Sequence, residues 1–384
     1  MKGLRRTGLL LLGFSYIFLL LWAFQDIRIG MRLKVMEWMG LGRSSAASVD
    51  EFVSVADFDP QPVLRQTATK LGALPYPIVE IHGHVFRASA EDLKSGLDEL
   101  GIDLFVNLAL RTTDRKAFAG LIAEYSDPRV LHFPGLNFRH LKSDDFAAIA
   151  SDLNEIVKAY PTVRGIKVWK NFGLLERTAN GERLPMDDER LQPVWDVVRR
   201  HKLIVAMHTA DPPAFWLAAD RLNERMPELI RFPERALPSS ALPFADLLAE
   251  RERLFARQKE ITFIAQHAAE LAHDLDEADR LLSTYPNVYL DIAQRIDELG
   301  RQPRRARAFF LRHQKRLLFG MDGAPDSLKL ALYRRFLETD DEYFDYAPAG
   351  KHKSFWKIYG LGLPADVLRA IYRDNALRLL QSAP

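Results

Sequence analysis

No cysteine occurs among the 384 residues. That absence excludes disulfides, thiolate metal sites and cysteine nucleophiles, so any metal must be held by nitrogen and oxygen. A charge excess of one sign is missing too. The 53 Lys and Arg stand against 51 Asp and Glu, which leaves none of the broad basic field that marks a nucleic-acid binder. No G-x-G-x-x-G follows an early strand, against an open dinucleotide-binding sheet. Neither a solenoid-period repeat nor a low-complexity block interrupts the chain.

Long apolar runs are also scarce, with one exception. From Thr7 to Gln25 the chain reads TGLLLLGFSYIFLLLWAFQ, nineteen uncharged residues. As a helix this run would span roughly 28 Å, close to the hydrocarbon core of a bilayer. No A-x-A-like cleavage site follows it, so an uncleaved anchor over residues 1–38 fits better than a removable signal peptide. Lys2, Arg5 and Arg6 before the run are offset by Arg28, Arg32 and Lys34 after it, so the positive-inside bias nearly cancels. An anchor at the extreme N-terminus and the lack of cysteine fit a catalytic domain held outside the cytoplasm. Residues 39–61, small, polar and ending in prolines, read as a linker. The folded domain is expected over 62–384.

Within that domain apolar runs and amphipathic stretches alternate. The apolar runs are 77–82, 102–110, 130–136, 165–169, 203–208, 261–267, 287–292 and 317–322. Between them stand helix signals, such as Ser89 with Asp92 three residues on, a capping box. Ser143 likewise reads as the opening of a helix with Phe146, Ile149 and Leu153 on one face, closing at Tyr160 before Pro161. Eight such units predict an α/β fold, a closed (β/α)₈ barrel. Two connections exceed the simple repeat, 212–260 and 339–364. Both follow strand ends on the catalytic face, which suggests lids or substrate walls.

The polar residues that stop these runs fall at strand C-termini, where a barrel carries its active site. They are His82 and His84, His208, His267 and Asp322. His82 and His84 are two residues apart, a spacing that puts both on one side of a strand. Imidazoles with a carboxylate suit Zn²⁺, with Mn²⁺, Fe²⁺ or Co²⁺ as alternatives. The remaining histidines, at 132, 140, 201, 273, 313 and 352, lie mid-strand or in helices and loops and are expected to be structural. Of these His140, beside Arg139, is nearest the mouth. Cations expected there, Arg87, Arg139, Lys170 and Arg295, suggest an anionic small-molecule substrate.

Taken in order, EIHGH at 80–84, GIKVWKNFGL at 165–174, MHTADP at 207–212, FIAQH at 263–267, NVYLDI at 287–292, LLFGMD at 317–322 and YRDNALRLL at 372–380 resemble the amidohydrolase superfamily. The similar branch is the amidohydrolase-related group, with aminocarboxymuconate semialdehyde decarboxylase, other non-oxidative decarboxylases and sugar- or pyrone-type lactonases. The resemblance covers the whole expected domain. It implies His82, His84, His208 and Asp322 as metal ligands, with Asp322 also moving a proton. His267 would act beside the metal as acid, base or electrophile. Glu80 stands where many relatives have aspartate, and is expected to brace His82. Lys167 falls on strand four, where binuclear members of the wider superfamily carry a bridging carboxylated lysine. In this branch, usually mononuclear, Lys167 and Lys170 are expected to bind an anionic substrate or to serve structure. The implied function is metal-dependent hydrolysis of an ester, lactone or amide by metal-activated water, with carboxy-lyase chemistry as the alternative on the same site. A non-catalytic metal-binding membrane protein is a third reading. Besides substrate and membrane, a homodimer is the one further partner considered.

Overall fold

The computed structural model describes residues 63–65, 67–85, 88–347 and 354–382. The anchor and linker expected over 1–61 lie outside the described residues, as does Arg87. Among the described residues no helix is long and apolar enough to cross a membrane.

All eight expected strands form: β1 (Ile78–Gly83), β2 (Ile102–Ala109), β3 (Val130–Pro134), β4 (Gly165–Val168), β5 (Ile204–Met207), β6 (Phe263–Ala265), β7 (Val288–Asp291) and β8 (Leu317–Leu318). Every pairing is parallel, in the orders β1-β2-β3 and β4-β5-β6-β7-β8. The chain after β8 closes the ring on β1 through Ile81 N to Phe319 O at 3.1 Å, Asp322 N to His82 O at 3.0 Å and His84 N to Gly323 O at 3.0 Å. Between β3 and β4 no ladder forms among the described residues. There Gly165 lies so close under Phe133 that a Cβ would sit 2.3 Å from its ring.

The strands are buried on both faces, as continuous apolar runs require. Val79, Ile81, Val106, Leu108, Phe133, Ile204, Ala206, Ile264 and Leu318 form one inner cluster, shared with Ala376, Leu379 and Leu380 of the C-terminal helix Asn375–Ser382. A second layer packs strands against the surrounding helices.

Simple alternation does not hold along β1. Glu80 pairs with Phe105 but Gly83 pairs with Asn107, so β1 carries one extra residue in between. Such a bulge re-aims side chains. Val79 and Ile81 serve the inner cluster, and beyond the bulge His82 and His84 take over the inward direction.

The helix at Ala90–Leu100 starts as expected: Ser89 Oγ accepts from Asp92 N at 3.0 Å, and Asp92 Oδ2 accepts from Ser89 N at 3.3 Å. The next expected start is displaced. Ser143 ends a 3₁₀ turn, Phe138–Ser143, and the helix Phe146–Ala159 is capped by Asp145, whose Oδ1 accepts from Ala148 N at 2.9 Å. A carboxylate two residues on takes the cap, at the helix end that the macrodipole makes positive.

Candidate active site

His82 and His84 aim Nε2 at one carboxylate oxygen. His82 Nε2 lies 3.5 Å and His84 Nε2 3.2 Å from Asp322 Oδ1. Their other ring nitrogens are occupied. His84 Nδ1 donates to Leu108 O at 3.1 Å, and His82 Nδ1 donates to Asp291 Oδ2 at 2.8 Å. With the hydrogen on each Nδ1, each Nε2 would turn its lone pair toward the Asp322 oxygen, as a cation shared among the three requires. Burial lowers the basicity of His84, against the Asp322 carboxylate, which raises it.

Gly83, between the two histidines, admits no side chain, because a Cβ there would stand 2.2 Å from the Phe105 ring.

Glu80 is fully buried. Its Oε1 accepts from His82 N at 2.8 Å, and both oxygens accept from Met321 N at 3.0 and 3.1 Å. It ties the first strand to the chain that carries Asp322. Burial pushes its carboxyl up to about 8. The bracing expectation describes these bonds, with the backbone of residue 82 as the braced group.

His208 and His267 complete the rim. The His208 ring packs 4.3 Å from that of His267, and His267 4.7 Å from that of His82. His208 Nε2 donates to Ala210 O at 3.0 Å, which leaves Nδ1 for a ligand. His267 Nδ1 donates to Ala293 O at 2.9 Å, which leaves Nε2 as a proton acceptor. Burial holds both rings well below the usual histidine range, helped by His267, Lys167, Lys170 and Arg295 at His208 and by His82 and Arg295 at His267. Burial alone would raise the Asp322 carboxyl, but His82, His84 and His267 outweigh it and hold it well below the ordinary range.

His267 does not end a regular strand. His267, Ala268, Ala269 and Glu270 have φ of 54°, 54°, 56° and 57°, a full left-handed turn without glycine. Such backbone costs roughly 1–2 kcal/mol per residue, so neighbours must impose it. Asp291 is one of them: its Oδ1 accepts from His267 N at 2.9 Å while its Oδ2 orients His82.

Asp291 was not among the expected residues. It ends an apolar strand run just as Asp322 does, and that same signal could have marked it.

The donor set fits a divalent cation. His82, His84 and Asp322 offer ligand atoms within 4.8 Å of one another. A second grouping of His82, His267 and Asp291 meets the same distance, but there Asp291 already bonds His82 Nδ1 and His267 N. His208 stands beside these groups without belonging to either set.

These residues open into a cavity of about 300 Å³, also lined by Leu110, Arg111, Lys167 and Trp169. Lys167 is buried, donates to Gln266 Oε1, and is pushed down to about 8 by burial. A second cavity of about 580 Å³ shares His208, His267 and Asp322. Phe215, Arg225 and Phe232 from the first long connection line it, as do Tyr346 from the second and Arg295. Both long connections therefore form walls. Lys170 lies here, bonded to Asp211. Arg139 is not brought in: it is exposed on the 138–143 turn and lines neither cavity. His140 is tied to Asp152 at 2.8 Å, and His132 is held between Asn107 and Tyr125 O, both structural placements.

A family model described as amidohydrolase matches residues 79–381. No curated protein sequence matches the chain. Among solved structures, a dihydroxybenzoic acid decarboxylase from Polaromonas sp. JS666, with bound manganese and the inhibitor 2-nitroresorcinol, is similar with a TM-score of 0.51 and 15% identity, over 80% of this chain and 97% of that one. A 2,6-dihydroxybenzoate decarboxylase from Rhizobium gives 0.47 and 18%, over 76% and 88%. An amidohydrolase from Burkholderia multivorans with bound HEPES gives 0.46 and 14%, over 80% and 100%. At these identities the likeness is one of fold.

Proposed function

The chain belongs to the amidohydrolase family, and on that premise we propose that it hydrolyses an ester, lactone or amide bond of a small anionic molecule, using one Zn²⁺ held by His82, His84, His208 and Asp322. The observation that carries this reading is the meeting of two anchored imidazole Nε2 atoms and a carboxylate oxygen at a barrel mouth. A divalent cation there would acidify a water and polarise the substrate's reacting oxygen.

The chain's own groups supply the rest. Asp322, beside His82 and His84, is placed to take the water's proton and pass it to the leaving group. The tautomer of His267 supports a role as proton acceptor at Nε2 rather than as an electrophile, since its one hydrogen is spent on Ala293 O. Lys167 and Arg111 add positive charge to the wall of the inner cavity, and Trp169 adds an apolar face. These features support an anion with a flat or compact body.

Decarboxylation is the second reading, favoured by one observation. The Polaromonas structure, whose fold this chain shares, is a decarboxylase with bound manganese. In that chemistry a protonated Asp322 would deliver its proton to carbon. Screening metal-loaded protein against lactones and aryl carboxylates, read for both acid and CO₂ release, separates the two. Acid without CO₂ upholds hydrolysis, and CO₂ release replaces it with the second reading. Loss of turnover in His208→Ala is expected under either, while wild-type turnover in that variant would remove His208 from the ligand set.

The apolar run 7–25 supports a membrane tether, with the catalytic domain outside the cytoplasm. Recovery of the full chain in the soluble fraction after cell breakage would refute the tether.

A further inference from the structure

Behind the rim, the inserted segment 212–260 sends one side chain into the heart of the barrel wall. Arg251, on the helix Phe244–Arg257, and Glu270 both have fully buried side chains. Arg251 Nη1 donates to Glu270 Oε2 at 2.9 Å and to Ala269 O at 2.8 Å. Glu270 Oε1 accepts from Thr209 N at 2.8 Å and Ala210 N at 3.2 Å, the two amides that follow His208. Glu270 also closes the left-handed turn, its N donating to His267 O at 2.9 Å. One carboxylate thus grips the backbone behind both histidines, and one guanidinium holds the turn between them.

A buried ion pair is weak evidence for stability, since well-packed apolar residues often do as well. An apolar pair, however, could not bond the amides of Thr209 and Ala210 or the carbonyl of Ala269. We propose that Arg251 and Glu270 form a positioning clamp that sets His208 and His267 relative to each other, so that the inserted segment is part of the catalytic frame as well as a cavity wall. The clamp rests on the reading of those two histidines as working groups.

The test compares Arg251→Met, Arg251→Lys and the wild-type full chain. Ring ¹⁵N–¹H spectra of the metal-free protein report the two histidines directly. Zinc-loaded turnover of p-nitrophenyl acetate reports the consequence. For Arg251→Met that remains folded by circular dichroism, the His208 and His267 signals should shift and kcat should fall about a hundredfold, the cost of a misplacement near 1 Å, with KM little changed. Arg251→Lys, which keeps the charge and a donor, should recover part of both. Wild-type ring signals in folded Arg251→Met overturn the clamp. Should Arg251→Met fail to fold, Arg251→Lys decides: displaced histidine signals support the clamp and wild-type signals overturn it. If the wild type shows no zinc-dependent turnover of this ester, the ring signals alone decide the clamp.

Discussion

Two stretches of the rim deliver histidines by opposite means. On β1, His82 and His84 stand on extended backbone, steered by one bulge and by a glycine that leaves room for Phe105. After β6, His267 stands at the head of four left-handed residues, none of them glycine. In the first case the local chain nearly suffices. In the second, Asp291, Ala293, Glu270 and Arg251 must hold a backbone that the isolated segment would not adopt. The difference shows how one barrel mouth can combine side chains placed by their own strand with one whose placement depends on other parts of the fold.

The comparison can be broken at its strongest point first. His84→Ala removes a proposed ligand from the preformed half. Bound zinc, measured by metal analysis after dialysis, should be lost, and turnover should fall by more than the roughly hundredfold that loss of an outer partner costs. Retained zinc and turnover would place the metal elsewhere.

Asp291→Asn strikes the link between the halves, because Asp291 serves both His82 Nδ1 and His267 N. Zinc affinity or kcat should drop about 10–100-fold. A change in neither would show the two halves to be independent.

Ala268→Gly sharpens the contrast through stability. It exchanges roughly 1–2 kcal/mol of left-handed strain for about 0.8 kcal/mol of lost methyl burial, so urea unfolding should show no loss or a slight gain. Ala150→Gly, at a buried position inside the right-handed helix Phe146–Ala159, should cost about 1 kcal/mol of helix propensity besides about 0.8 kcal/mol of lost methyl burial. Equal losses at both positions would argue that the turn is unstrained.

A further test concerns Glu80. Burial raises its folded pKa to about 8 from the usual 4.5, so the folded state holds the extra proton between those values. That contribution to stability is full below about 4.5 and lost as pH rises through about 8. The Tm of metal-free protein should therefore decline across this window, and Glu80→Gln should flatten the decline. An unchanged slope in the variant would assign it to another group.

Much of the architecture was legible in advance. Eight apolar runs gave eight strands because a strand buried on both faces needs a continuous apolar string, which composition alone reveals. His82, His84, His208, His267 and Asp322 were legible as polar residues that stop such strings. The outward placement of Arg139 was not legible, since its side of the 3₁₀ turn depends on packing that no local pattern encodes. Asp291 carried the same signal as Asp322 and was passed over. Arg251 and Glu270 carried no signal, because a charged residue in a helix or turn usually faces water.

The sequence by itself determined the strand and helix periods, the nitrogen-and-oxygen donor set and the strand ends where it collects. Those follow from local burial patterns and side-chain chemistry. Long-range packing alone sets that Glu80 braces the backbone of residue 82 and that residues 267–270 turn left-handed. Each of these is set by hydrogen bonds to partners far away in the chain, and a linear pattern holds no record of distance in space.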